Sequence, residues 1–281
     1  MHILRAARCA VVVMAGVGLF LAGSAADAVT FNASFAPIKI SAKPGQVLTT
    51  TYRLALDDAD PRTHFKVEVQ DWWRSEDGKQ SFYAPAGSIS RSCGNWVSAN
   101  PMEASVSGGE ALQIRLTVSV PQEVRPGGYW CALSVDEMPD PLAQVPDGVG
   151  VRFLASVSTG VYVYIDPVER GADVLNIEVD GTQATARIQN TGNTPTAVEG
   201  RFEFLRAGES TPAAVVTLPR NMLLTEPVPT AAFSVALPSP ADLPSGRYTV
   251  RLILDIGLDH YIGFQRALDI VREKPAAAAH N

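Results

Sequence analysis

The chain has 281 residues, a formal net charge of −6 and a hydrophobic content of 46%. That length is enough for two domains of roughly 100 to 150 residues each. The mild excess of acidic residues argues against nucleic acid and against anionic membrane surfaces as partners.

Residues 1–28 have the composition of a secretory signal peptide. Arg5 and Arg8 form a basic start, residues 9–21 are apolar, and small residues lead to an expected cleavage after Ala28. A retained membrane anchor is less favoured because the apolar run is short for a span of about 20 residues. Ser24 stands where a lipoprotein would need its lipid-bearing cysteine. We therefore expect a periplasmic or secreted protein with no membrane span.

Beyond the leader, apolar and polar residues alternate with a period of two, which indicates half-buried β-strands. The alternation is clearest in residues 48–56, 65–69 and 112–120, and the first half of the chain has no segment with a helical period. Short strands at regular spacing, separated by Pro- and Gly-containing turns, predict β-sandwiches.

Two stretches, 121–136 and 240–255, share one pattern of a Pro- and Gly-punctuated turn followed by a strand entered through a tyrosine. A repeat unit of this length is a domain and not a solenoid coil. The sequence therefore predicts an all-β protein with two immunoglobulin-like β-sandwich domains in tandem after a cleaved signal peptide. We place the domains at 29–166 and 167–272, with 273–281 as a flexible tail. The matched pairs are Pro121 with Pro240, Val124 with Leu243, Gly127 with Gly246, Tyr129 with Tyr248, Leu133 with Leu252 and Asp136 with Asp255.

Removal of the leader also removes Cys9, which leaves Cys93 and Cys131 as a pair in an oxidising compartment. We predict that they form a structural disulfide which ties the loop before Trp96 to the strand that contains Cys131. The alternative is two separate buried thiols.

Two segments of the first half resemble periplasmic pilus-assembly chaperones of the PapD-like kind, a family of bacterial immunoglobulin-like exported domains. Y-W-C-A-L at 129–133 with D-E-M-P at 136–139 resembles that family's late strand and Glu-x-Pro loop. V-Y-V-Y-I-D-P at 161–167 resembles the last strand of its first domain and the linker that follows. The resemblance covers most of residues 29–167 and only weakly the second half.

The resemblance implies a non-enzymatic chaperone that binds extended segments of exported or pilus subunits by strand addition at an edge of domain 1. The family holds the subunit's terminal carboxylate with an arginine near the start of the domain and a lysine in the final strand. Here Tyr162 occupies the expected lysine position and no arginine lies between Val29 and Tyr52, so Lys39 is the nearby cation of use. The alternative function is a structural or adhesive cell-envelope protein. The residues expected to present the partner-binding strand are Val149, Val151, Phe153, Ala155, Val157, Val161 and Val163.

Catalytic and metal sites are not predicted. His64, His260 and His280 lie in unrelated contexts, and the sequence has no H-E-x-x-H or G-x-S-x-G motif. The acidic loop with Asp57, Asp58 and Asp60 offers oxygen ligands suited to calcium, but its spacing matches no known ligand loop. We predict no enzyme activity, no cofactor and no metal, and leave calcium binding open.

Trp72 and Trp73 form an aromatic cluster with Phe82 and Tyr83 across the Asp77-Gly78 turn. The favoured interpretation is a core tryptophan with a cross-strand aromatic pair. The alternative is an exposed contact for a protein or glycan partner.

Overall fold

The computed structural model describes residues 31–33, 36–139 and 154–272, so the proposed leader and tail lie outside the described residues. The described part is built of strands, with a single 3-10 turn at Gly94–Trp96. Within these ranges no helix is long and apolar enough to span a membrane. The strands are β1 (Phe31–Ala33), β2 (Ile38–Ala42), β3 (Val47–Leu56), β4 (Thr63–Arg74), β5 (Gln80–Pro85), β6 (Val97–Asn100), β7 (Glu103–Val106), β8 (Ala111–Ser119), β9 (Gly127–Met138), β10 (Ser156–Ile165), β11 (Ala172–Val179), β12 (Gln183–Asn190), β13 (Thr196–Arg206), β14 (Ala214–Leu223), β15 (Thr230–Ala236), β16 (Gly246–Asp255) and β17 (Ile262–Ile270).

The first ten strands form one sandwich, which we call domain 1. One sheet has the order β1-β3-β8-β6, and the other has the order β2-β10-β9-β4-β5 with β7 also paired to β4. The alternating residues of each strand point inward, so that Leu54, Phe65, Ile114 and Leu133 form a core with almost no solvent exposure. The strands follow from the period of two that the sequence shows.

The last seven strands form the second sandwich, domain 2. Its sheets have the orders β11-β12-β15 and β14-β13-β16-β17, and they enclose a separate core that includes Ile177, Ile188, Phe202 and Leu252. The predicted fold class, an all-β protein with two β-sandwiches, is confirmed.

The repeated stretches occupy equivalent places in the two sandwiches. β9 and β16 are central strands that start at Gly127 and Gly246. In each strand a buried tyrosine hydroxyl donates a hydrogen bond to the carbonyl four residues earlier, at 3.0 Å from Tyr129 to Arg125 and at 3.0 Å from Tyr248 to Pro244. This arrangement is the tyrosine corner of immunoglobulin-like sandwiches. The repeated sequence therefore forms the same local structure, a tyrosine corner, in both domains.

The disulfide is present between Cys93 and Cys131, whose Cα atoms lie 5.3 Å apart. Both residues are fully buried in the core of domain 1. The bridge ties the segment before β6 to the middle of β9, as the sequence predicts.

The two sandwiches meet at a buried aromatic cluster. Trp72, Trp130 and Tyr162 of domain 1 pack against Leu224 of domain 2. Trp72 is stacked on Phe82, with ring centroids 6.0 Å apart. Trp72 is therefore buried beside an aromatic side chain of the neighbouring strand, but it packs between the two sandwiches and not in the core of domain 1.

Trp73 packs against the same interdomain cluster and is partly buried. The pairing of β4 with β5 shifts register between Asp71 and Trp73, so the simple rule that neighbouring residues point to opposite faces fails there. Trp72 offers almost no exposed aromatic surface, whereas Trp73 is partly exposed.

Candidate functional site

The outer edge of β10 is covered over only half of its length. β10 pairs with β9 from Ser156 to Ile165, but it pairs with β2 only from Val161 to Ile165. In the described part of the chain, no strand lies against the outer edge of the segment from Ser156 to Gly160. We call this segment the open edge.

The open edge directs alternate backbone groups outward. The carbonyl of Ala155 accepts a hydrogen bond from the N–H of Glu137 at 2.8 Å, so Ala155 faces β9. Because N–H and C=O groups alternate in direction along a strand, Ser156, Ser158 and Gly160 direct theirs away from β9. Unpaired backbone groups of this kind form a template for an added strand.

Side chains alternate just as clearly across the open edge. Val157 and Thr159 are buried and face the core, whereas Ser156, Ser158 and Gly160 lie on the outer face and are at least partly exposed. A strand added here would meet backbone groups at the edge and a polar outer face beside it.

This geometry corrects part of the predicted partner-binding strand. Val161 and Val163 are fully buried in the core, and β2 covers the edge beside them. Val157 also faces the core, while Ala155 remains partly exposed just before the open edge. Leu154, which the sequence analysis did not single out, is 46% exposed. The predicted residues Val149, Val151 and Phe153 lie outside the described residues.

A polar network fixes the open edge on β9. The Ser134 and Ser158 hydroxyls are 3.2 Å apart, and the Ser134 hydroxyl donates to the Asp136 carboxylate at 3.1 Å. The Ser156 hydroxyl donates to the same carboxylate. The Glu137 carboxylate accepts the N–H of Ala155 at 3.1 Å. The open edge is therefore held in an extended form before any partner arrives, which lowers the ordering cost of strand addition.

A cationic cleft lies between the domains, close to where the open edge ends. Its volume is about 310 Å³. Lys39 of β2, Arg170 of the linker and Arg220 of β14 line it together with Tyr164 of β10. Two carboxylates, Glu199 and Asp255, line it as well. Arg220 forms an ion pair with Glu199 at 3.2 Å. Within the described ranges, neither Lys39 nor Arg170 has an ion pair or a side-chain hydrogen bond.

The cleft contains cations that the sequence analysis missed. The sequence analysis identified Lys39, but Arg170 and Arg220 belong to segments far from Lys39 in the chain. Tyr164 is in the strand next to that of Lys39. It lies two residues beyond Tyr162, which is opposite Lys39 in the parallel pairing. Burial raises the pKa of the Tyr164 hydroxyl, and the nearby Arg170 charge opposes that rise. The Tyr164 hydroxyl is therefore a neutral hydrogen-bond donor beside Lys39 and Arg170. These two cations suit an anion, although the Asp255 carboxylate lines the same cleft.

The described histidines and acidic loop do not assemble into a catalytic or metal centre. His64 lies 3.1 Å from the Ser105 hydroxyl, and the exposed His260 pairs with its neighbour Asp259. His280 lies outside the described residues. The Asp60 carboxylate accepts the N–H of Asp57 at 3.0 Å and thereby closes the acidic turn. Among the described residues, no group of three or more His, Cys, Asp or Glu is placed to hold a metal ion. Calcium binding by Asp57, Asp58 and Asp60 stays untested.

No family model matches the sequence, and a comparison with curated proteins finds no match. Solved structures of pilus chaperones are similar in fold. A chain of the CsuC–CsuE chaperone–tip adhesion subunit complex of Acinetobacter baumannii has a TM-score of 0.46 and 14% identity, over 88% of this chain and 100% of that one. The CupB2 chaperone of Pseudomonas aeruginosa has a TM-score of 0.42 and 12% identity, over 84% of this chain and 100% of that one.

The E. coli chaperone DraB has a TM-score of 0.42 and 13% identity, over 86% of this chain and 98% of that one. Identities this low relate folds and not functions. The functional proposal therefore rests on the open edge and the cationic cleft of this chain.

Proposed function

We propose that the protein is a non-enzymatic, periplasmic chaperone-like protein that binds an extended segment of an exported subunit by strand addition. The observation that carries the proposal is the half-covered edge of β10, where Ser156, Ser158 and Gly160 direct backbone groups outward while β2 occupies the rest of the edge. Main-chain hydrogen bonds supply affinity in this mode of recognition, and they do so with little regard to sequence. Such a surface suits a partner whose own sheet lacks a strand.

The cationic cleft gives the added strand a direction. A strand on the open edge lies end to end with β2, which runs parallel to β10. Lys39 is opposite Tyr162. Tyr162 is two residues beyond Gly160, the end of the open edge, which is about 7 Å along the strand at the usual rise. A parallel strand brings its terminal carboxylate to Lys39 and Arg170, whereas an antiparallel strand would bring its positively charged amino terminus there. We therefore propose that the subunit binds parallel to β10, with its carboxylate held in the cleft.

The test is site-specific photo-crosslinking in intact cells that express the full protein. A photoreactive amino acid at Ser156 is compared with one at Thr49, which is exposed on the outer face of the opposite sheet. We expect crosslinks from Ser156 to the C-terminal segment of an exported subunit, and none from Thr49.

A matched pair of variants identifies strand addition as the cause. Ser158→Pro removes the N–H that faces the open edge, and proline is tolerated on edge strands where no partner needs that N–H. Ser158→Ala removes the same hydroxyl but keeps the N–H. We expect Ser158→Pro to abolish the Ser156 crosslink at an unchanged melting temperature and Ser158→Ala to retain it.

Either of two outcomes would overturn the proposal. One is equal crosslinking from Ser156 and Thr49. The other is a crosslink that survives Ser158→Pro in folded protein. Retention of the protein in a cell-surface polymer, with crosslinks that map to no extended segment, would favour the structural or adhesive envelope protein instead.

A further inference from the structure

The hairpin formed by β4 and β5 has a closely defined tip, residues 75–79, which we call the hairpin tip. The N–H of Ser75 donates to the carbonyl of Lys79 at 2.9 Å, and the N–H of Gly78 donates to the carbonyl of Ser75 at 2.9 Å. The Asp77 carboxylate accepts the Ser75 hydroxyl and the Lys79 N–H. Hydrogen bonds from Ser75 and Lys79 lower the pKa of Asp77 to about 2. The tip is thus held in one shape by its own residues.

The hairpin tip extends beyond domain 1 and contacts the edge of a sheet in domain 2. The carbonyl of Glu76 accepts a hydrogen bond from the N–H of Ala232 at 2.9 Å. Ala232 belongs to β15, the outer strand of the sheet β11-β12-β15. The Glu76 carboxylate also pairs with Arg187 of the neighbouring strand β12. The tip therefore satisfies a backbone donor on an edge strand of the other domain.

Arg74 strengthens this contact from the base of the tip. Its guanidinium donates to the carbonyl of Gly78 at 2.5 Å and lies 5.7 Å from the centre of the Phe233 ring in β15. Burial lowers the pKa of Arg74, yet the group remains a cation because the pKa of an arginine lies far above neutral pH. A partly desolvated cation over an aromatic ring is attracted by the negative face of the ring. Arg74 thus connects the tip and domain 2 with one side chain.

We infer that the hairpin tip is a latch that holds the two sandwiches at a fixed angle. Domains joined by a short linker alone move relative to one another by default. The hairpin tip adds a contact that is distant in sequence from the linker at 166–171. It is also distant from the interdomain ion pairs that Glu226 forms with Arg91 and Arg125, both at 3.1 Å. The hairpin tip, the ion pairs of Glu226 and the buried aromatic cluster are separate attachments, and together they prevent rotation about any one of them. The latch also covers part of the edge of β15 and so removes a surface for unwanted strand pairing.

Gly78 provides a sharp test of the latch. It has a φ of +84°, and a Cβ added there would meet the carbonyl oxygen of Ala232 at 2.4 Å. Gly208 has a φ of +80° in a turn of domain 2, and a Cβ there would meet nothing within 4 Å. Gly78→Ala and Gly208→Ala therefore carry the same conformational cost of a positive φ. Only Gly78→Ala inserts a methyl group between the domains.

The experiment measures residual dipolar couplings of the mature protein by NMR. We expect a single alignment tensor to fit both domains in the unmodified protein and in Gly208→Ala. In Gly78→Ala we expect the two domains to need different tensors, while the chemical shifts of each core stay unchanged. A single tensor that fits Gly78→Ala as well as it fits Gly208→Ala would overturn the inference.

A second variant keeps the test valid if Gly78→Ala fails to fold. Ala232→Pro removes the N–H that donates to Glu76 on the outer edge of β15, a position where a sheet tolerates proline. The latch predicts separate alignment of the two domains in this variant too. One shared tensor in folded Ala232→Pro would contradict it.

Discussion

Ile38 lies opposite Val161 in a parallel pairing, and this pair marks where the covered part of the β10 edge begins. Before it, Ser156 to Gly160 pair with β9 on one side only. After it, β2 fills the edge as far as Ile165. The second half of β10 is thus internal to the sheet, whereas its first half is a free edge. The boundary between these halves lies next to the cationic cleft.

The cationic cleft should discriminate between a carboxylate and an amide. The double variant Lys39→Ala, Arg170→Ala removes both unpaired cations, and hydrogen bonds to charged groups contribute about 1.5 to 3 kcal/mol each. We expect the Kd for a synthetic peptide with the C-terminal sequence of the crosslinked subunit to rise roughly 10- to 150-fold per lost bond. Isothermal titration of the free acid and of its C-terminal amide measures this, with Lys43→Ala as a control on a nearby exposed lysine.

The amide form should bind the unmodified protein as weakly as the free acid binds the double variant. Equal affinity of acid and amide for the unmodified protein would show that the cleft does not hold the carboxylate. That result would leave strand addition itself standing, because the open edge makes its own hydrogen bonds.

The disulfide should stabilise domain 1 and leave domain 2 unaffected. Cys93 and Cys131 enclose a separation of 38 residues, for which the chain-entropy model gives about 4 kcal/mol. Trp72, Trp73, Trp96 and Trp130 are the four tryptophans of the chain and all belong to domain 1. Tryptophan fluorescence during urea unfolding therefore follows domain 1 and its contact with domain 2, and we expect Cys93→Ala with Cys131→Ala to lower its midpoint. A midpoint equal to that of the unmodified protein would contradict a stabilising role.

The two tyrosine corners should contribute equally to their own domains. Tyr129→Phe and Tyr248→Phe each remove one hydroxyl that donates to a carbonyl at 3.0 Å. We expect each change to cost about 1 kcal/mol of unfolding free energy, which is the typical net value of one hydrogen bond. Tryptophan fluorescence should detect the loss in Tyr129→Phe, and circular dichroism, which follows both domains, should detect it in Tyr248→Phe. A loss in only one variant would mean that the two tyrosine corners do not contribute equally to the unfolding free energy of their domains.

Tyr162 should make the interdomain cluster sensitive to alkaline pH. Burial raises the pKa of its hydroxyl well above the usual 10.0, with Tyr164 adding to the rise and Arg74 opposing it. The folded protein therefore favours the protonated form. This contribution to stability is fully present below about pH 10, the unfolded value, and is lost as pH rises through the folded value.

The measurement is the unfolding free energy by circular dichroism between pH 8 and pH 11.5. Tyr162→Phe should reduce the alkaline loss of stability, whereas Tyr261→Phe, which alters a tyrosine that is 67% exposed, should not. The same alkaline loss in both variants would show that Tyr162 does not titrate in this way.

Local patterns were sufficient to predict most of the fold. The unbroken alternation in β8, from Leu112 to Val118, predicts a strand with one buried face, and that face is buried. The two cysteines that remain once the expected leader is removed predict the disulfide. The Tyr129 and Tyr248 repeat predicts two copies of one domain. Each of these signals depends on residues close in sequence or on a simple count.

The site depends on contacts between distant segments, which leave no local signal. β2 and β10 are separated by most of domain 1, and their parallel pairing is not visible in either strand. Val161 and Val163 alternate in the same way whether they face a core or a partner, so the sequence could not show that they are buried. Arg170 and Arg220 reach the cleft only when the two domains are in contact. Trp72 is placed by a register shift and by domain 2, neither of which alternation can reveal.

Residue-resolved amide hydrogen exchange of the protein tests the open edge most directly. Without a partner, we predict fast exchange at Ser156, Ser158 and Gly160 and slow exchange at Val157 and Thr159, whose N–H groups face β9. The C-terminal peptide of the crosslinked subunit should then slow exchange at Ser158 and Gly160. Slow exchange at these residues in the free protein, or no change when the peptide binds, would contradict strand addition at this edge.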